Sequence, residues 1–119
     1  MTTTTTFDIG ALRDAIEAND ADGQSSLYAD DAEVTMVDRD NPPARPFKLR
    51  GRDEIRGWLD DVCGRGLTHD VTLALADERS GAYSLHCEYP TGERVRCAVL
   101  FEVEGGRIVA LEGVQAWDG

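Results

Sequence analysis

Ile9, Leu12, Ala15 and Ile16 recur at three- and four-residue spacing, which puts them on one face of a helix. Asp8 stands where a side chain can accept the first free backbone N–H groups, and Asn19 and Asp20 end the run. After the small break Asp20-Ala21-Asp22-Gly23, a short second helix is expected over Gln24 to Ala29, with Leu27 and Tyr28 facing inward. Glu33-Val34-Thr35-Met36-Val37-Asp38 is suited to a strand. Three of the four prolines fall between Arg39 and Pro46, which excludes regular helix or central strand and marks a loop. Ile55, Trp58, Leu59 and Val62 then describe the apolar face of a third helix that stops near Gly64 and Gly66.

Beyond Leu67 the period changes to two. Strands are expected over Thr68 to Asp77, Ala82 to Tyr89, Arg94 to Val103 and Arg107 to Trp117, with Ser80-Gly81, Pro90-Thr91-Gly92 and Gly105-Gly106 in the turns. Parity identifies the inner face: Tyr83, Leu85, Cys87 and Tyr89 on one strand meet Val95, Cys97, Val99, Phe101 and Val103 on the next. The opposite parity carries Ser84, His86 and Glu88 against Arg94, Arg96, Ala98, Leu100 and Glu102, a register that opposes Glu88 to an arginine. Helices followed by an antiparallel meander imply an α+β fold with one face of the sheet covered by helices.

The composition fits this picture. A chain of 119 residues with 41% hydrophobic and 29% charged side chains can bury one core. Its 23 acidic against 12 basic residues give a formal charge of −11, which repels phosphate backbones and anionic lipid, so neither nucleic acid nor membrane is an expected partner. Cys63, Cys87 and Cys97 are odd in number and lack C-x-x-C spacing, so neither a zinc site nor a disulfide framework is expected, and a reduced cytoplasmic setting fits best. Met1 to Thr6 reads as a disordered tail and 7–119 as one domain.

The order of helix, helix, Tyr28-Ala29-Asp30-Asp31-Ala32 and strand, Gly51-Arg52-Asp53-Glu54-Ile55 and helix, then a meander ending in Gly106-Arg107-Ile108-Val109, resembles the SnoaL-like branch of the nuclear transport factor 2-like superfamily. The resemblance spans residues 7–117. It implies a cone-shaped roll, a strongly curved and mostly antiparallel sheet wrapped round three helices of the N-terminal half, with an apolar cavity at the wide end. It also implies pairing of two copies through the outer sheet face, here the face bearing His86, Arg96 and Ala98. The family includes polyketide cyclases, ketosteroid isomerases, limonene epoxide hydrolases, dehydratases and non-enzymatic binding domains, so fold carries over and activity does not.

Chemistry must therefore be read from individual residues. The resemblance places Met36 where ketosteroid isomerases hold a carboxylate base, and Leu12 and Val99 where they hold oxyanion donors; none of the three can do that work. No Asp-Arg-Asp set of the epoxide hydrolase kind falls in register. A cyclase-like site needs less, one group that moves a proton between apolar walls. Asp38, in parity with Met36, and His69, in parity with Val71, Leu73 and Leu75, are the catalytic candidates; Asp70 points away from His69 and forms no dyad with it. Asp38 otherwise serves as a wet residue at the loop entry, with Arg39 its expected ion-pair partner.

Gln115 and Trp117 share an inward parity and are expected to orient a ligand, while Tyr28, Met36, Trp58, Cys97 and Val99 would wall it. For Trp58 and Tyr28 core packing is the competing role, and Cys97, among Val95 and Val99 with no neighbouring base, reads most simply as a small buried hydrophobe. The reading is a small-molecule-binding cone for an apolar or polycyclic ligand, acting as a cyclase-, isomerase- or dehydratase-like enzyme with no cofactor or metal. Its alternative is a non-catalytic homodimeric association or ligand-sensing module.

Overall fold

The Asp8 carboxylate accepts the Ala11 N–H at 2.9 Å and starts helix α1, Ile9–Glu17, which buries Leu12, Ala15 and Ile16. Asp20 repeats the device on the Gly23 N–H at 2.9 Å, so α2 runs over Ala21–Ser25 and not over Gln24 to Ala29 as expected. The cap decides where that helix begins, and Tyr28 and Ala29 are released into strand β1, Tyr28–Val37. A four-residue strand that sequence reading left unassigned, β2 (Phe47–Arg50), follows the proline loop. Helix α3, Arg52–Cys63, starts at Gly51, whose φ of 87° suits glycine alone, and buries Ile55 and Leu59.

The computed structural model describes residues 7–118, and the tail expected over Met1 to Thr6 lies outside them. Strands β3 (Thr68–Ala76), β4 (Ser80–Glu88), β5 (Arg94–Glu104) and β6 (Arg107–Trp117) complete a six-stranded sheet in the order β2-β1-β6-β5-β4-β3. Only β1 and β6 run parallel; the other neighbours are antiparallel. Glu88 opposes Arg94 and His86 opposes Arg96, as the alternating pattern expected. The fold is thus α+β, with the core formed by Leu12, Ile16, Ile55 and Leu59 of the helices against Val34, Val71, Val99, Phe101, Ile108 and Leu111 of the sheet.

Strand β3 departs from simple alternation. Val71 pairs with Leu85 but Leu73 pairs with Ser84, so Thr72 is an extra residue on its strand. The bulge reverses parity. His69 and Val71 face the helices, whereas Leu73 and Leu75, expected beside them, are 59% and 56% exposed on the outer face.

Candidate functional site

A cavity of about 340 Å³ opens between the inner face of the sheet, the C-terminal half of α3 and the proline loop. Each wall follows from local structure. β1 contributes Met36 from its buried row, β2 contributes Phe47, α3 contributes Trp58, and the inward rows of β3 to β6 contribute His69, Cys87, Cys97, Gln115 and Trp117. Met36 lies flat across β6 because Gly113, its partner in register, has no side chain; a Cβ there would stand 2.6 Å from the Met36 sulfur. A larger hollow of about 750 Å³ lies against the sheet's outer face near Leu75, Ala82, Leu100 and Ala110.

The rim is braced by aromatic and cationic groups. Tyr89 and Trp117 have ring centroids 5.8 Å apart, the Arg39 guanidinium lies 4.2 Å over the Trp117 ring, and Arg65 donates to the Tyr89 hydroxyl at 3.1 Å. Arg39 pairs with Glu93 at 3.3 Å, not with Asp38. Asp38 instead accepts from the backbone N–H groups of Asp40 and Asn41 and from the Asn41 amide, all at 2.9 Å on one oxygen. That oxygen organises the loop. Asp38 itself lines the cavity, and its other oxygen accepts no hydrogen bond among the described residues.

Deeper in, Gln115 accepts the indole N–H of Trp117 at 3.0 Å. Since indole nitrogen only donates, the Gln115 oxygen must face it, which leaves the amide N–H groups free. His69 stands directly opposite Cys87 across β3 and β4, and its buried Nδ1 has no well-aligned hydrogen-bond partner among the described residues. Cys97 is a diagonal neighbour of Cys87 on β5. The Cys97 thiol foremost, and His69 after it, hold Cys87 down to about 5 against the upward push of burial. Cys97 is correspondingly raised by Cys87 and by its own burial.

Asp38, Met36, Trp58, His69, Cys97, Gln115 and Trp117, singled out from the sequence, all line this one cavity. Tyr28 and Val99 do not: both are core residues, 2% and 3% exposed, and burial raises the Tyr28 hydroxyl far above its ordinary value. Sequence reading missed Cys87, together with Asp61, Arg65 and Tyr89 at the rim. The inward parity of Cys87 was visible, but its partner was not, because the bulge at Thr72 decides that His69 opposes it. Among the described residues no His, Cys, Asp and Glu group of three or more could hold a metal ion, and no helix is long and apolar enough to cross a membrane.

The family model of the SnoaL-like domain matches residues 9–111. No curated protein matches the chain. Among solved structures, a provisionally assigned ketosteroid isomerase of Kribbella flavida superposes with a TM-score of 0.74 at 20% identity, covering 92% of this chain and 74% of its own. An NTF2-like protein of unknown function from Mesorhizobium loti gives 0.74 at 19%, covering 91% and 85%. A protein of Catenulispora acidiphila with a ketosteroid isomerase-like fold, solved in complex with trimethylamine, gives 0.65 at 20%, covering 88% and 82%. At such identities the likeness is one of fold.

Proposed function

The chain belongs to the SnoaL-like domain family, and on that premise we propose that it is a small-molecule-binding domain whose site is the cavity between the sheet and α3. The observation that carries this reading is that His69, Gln115 and Asp38 line one space of about 340 Å³ with mixed polar and apolar walls, enough for a small ligand. The frame adopted is the cone of the family, a strongly curved sheet around the helices with the cavity at its wide end. That a relative of the same fold was solved with trimethylamine makes small organic molecules the class to test first.

The catalytic form of the proposal assigns proton transfer to His69. A ligand carbonyl would accept from the free Gln115 amide, and His69 would remove a proton from the adjacent carbon, as cyclases, isomerases and dehydratases require. Asp38 is the second choice, because its loop bonds occupy one oxygen. Met36 leaves the isomerase base position without a carboxylate, so steroid isomerisation of the usual kind is not proposed. No metal or organic cofactor enters this scheme, and cytoplasmic residence is assumed for it.

Pairing of two copies is part of the same proposal. Leu73, Leu75, Leu100 and Val114 are each more than half exposed, at 59%, 56%, 57% and 58%, and all lie on the outer sheet face. Such a row is what a second identical face would cover. It supports equally the non-catalytic alternative, an association or ligand-sensing module.

Nuclear magnetic resonance titration with a panel of small apolar ketones and tertiary amines tests the binding reading. Shifts should concentrate on the Trp117 indole and the Gln115 and His69 signals. Shifts confined to the outer face, or none across the panel, would overturn it. For any compound that is turned over, His69→Gln should abolish turnover with the fold intact; unchanged turnover removes the assigned role.

A further inference from the structure

We propose that Cys87 is a nucleophilic site: its sulfur, opposed to His69 across β3 and β4 and open to the cavity, captures small α,β-unsaturated carbonyl compounds as thioethers. The geometry has three independent parts. Cys87 occupies an inward position of β4 and lines the cavity although only 8% of it is exposed, so a reagent reaches the sulfur through the cavity. The bulge at Thr72 sets His69 opposite Cys87 in register, with a buried Nδ1 that no protein group engages among the described residues. Cys97, diagonal on β5, supplies a second thiol that can donate to the sulfur once it is ionised.

The addition balances without a cofactor. The Cys87 sulfur forms a bond to the β-carbon, the carbon–carbon double bond opens, and its electron pair moves onto the carbonyl as an enolate. The proton released by Cys87 passes by way of His69 to the α-carbon. The product is a neutral thioether and no oxidant or reductant is consumed.

The lowering of the Cys87 thiol below its ordinary range, by Cys97 first and then by His69, supports the geometry. The groups around it are few. β3 sets His69 against it and β5 sets Cys97, while His86 precedes it on β4 and faces the other way. Across the cavity Asp61 of α3 and Arg65, two residues beyond its end, are paired with each other, and the loop presents Asp38 and Asp40.

N-ethylmaleimide, an electrophile of this class, is the probe. Folded protein is treated in mildly acidic buffer, where ordinary thiols are protonated, and the adducts are located by peptide mass mapping. Cys87 should react first, roughly ten-fold faster than Cys63, since its larger thiolate fraction outweighs the lower nucleophilicity of a weakly basic sulfur. His69→Gln should slow Cys87 and move its pH profile toward that of an ordinary thiol, an effect loss of packing alone would not produce. Cys97→Ser should leave Cys87 reactive, and Cys87→Ser should remove the fast adduct.

First reaction at Cys63 or Cys97, or a Cys87 profile indifferent to His69, would overturn the proposal. Capture shares the cavity of the proposed function and needs a small reagent to enter it. If ketones or amines shift the cavity signals while Cys87 stays unmodified, nucleophilic capture fails alone. If neither occurs, both readings fail.

Discussion

Trp117 donates its indole N–H to Gln115, two residues earlier on the same strand and 3.0 Å away. Both side chains stand on one face because strand side chains alternate, so the bond fixes the amide without help from a second element. Gln115→Leu should cost about 1 kcal/mol, the usual net worth of such a bond, while Gln115→Glu keeps the acceptor and should stay near the parent. Both variants remove the free amide donors. Denaturant melts combined with the ketone titration separate the two effects: weakened binding is expected in both variants, and lower stability in the leucine variant only.

Gly113 and Gly81 both admit a neighbour across the sheet, but the neighbours differ in stiffness. A Cβ at Gly113 meets the flexible Met36 thioether, which can swing into the cavity, whereas a Cβ at Gly81 would stand 2.2 Å from Cζ at the edge of the rigid Phe101 ring. Gly81→Ala should cost about 3 kcal/mol and Gly113→Ala nearer 1 kcal/mol, the range for overpacking a close-fitted core. Thermal melts give the order, and the reverse order would contradict the packing described.

The outer row of Leu73, Leu75, Leu100 and Val114 predicts self-association. Leu100→Glu places a charge in the middle of that row, between Ala82 and Glu112 in register. Light scattering at micromolar concentration should report a dimer for the parent chain and a monomer for the variant. A parent monomer would remove the pairing proposal.

Stability should depend on pH through Cys87. Its folded value is depressed from an ordinary 9.0 to about 5, chiefly by Cys97 and then by His69. An acid depressed in this way stabilises the fold fully above 9.0, and that contribution disappears as pH falls through about 5. Urea melts across this window should therefore show a slope that is shallower in Cys87→Ser; identical slopes would count against an ionised Cys87.

Features set by neighbours in sequence were legible in advance. α1 with its Asp8 cap, the proline loop, the apolar face of α3 and the alternating rows of β4 to β6 all follow from local chemistry. What escaped depends on distant partners. β2 is a strand only because Phe47 to Arg50 pair with β1, and α2 began early because the Asp20 carboxylate outweighed the apolar residues further on. Seven of the nine site candidates line one cavity, since inward parity selects the residues that can line it. Parity alone could not tell the cavity from the packed core, which is where Tyr28 and Val99 lie.

The unpaired Thr72 divides β3 into two halves that look in opposite directions. Were the ladder continuous from the β3–β4 turn, His69 would fall opposite Glu88, and Cys87 would lose its imidazole. Deleting Thr72 would therefore join the two halves in the register they already hold, with His69 still opposite Cys87 and Leu73 opposite Ser84. It is regular pairing of Thr72 that would trade the residues of the inner wall against those of the outer surface, so the extra residue absorbs a one-position slip that would otherwise carry one half of β3 to the wrong side of the molecule.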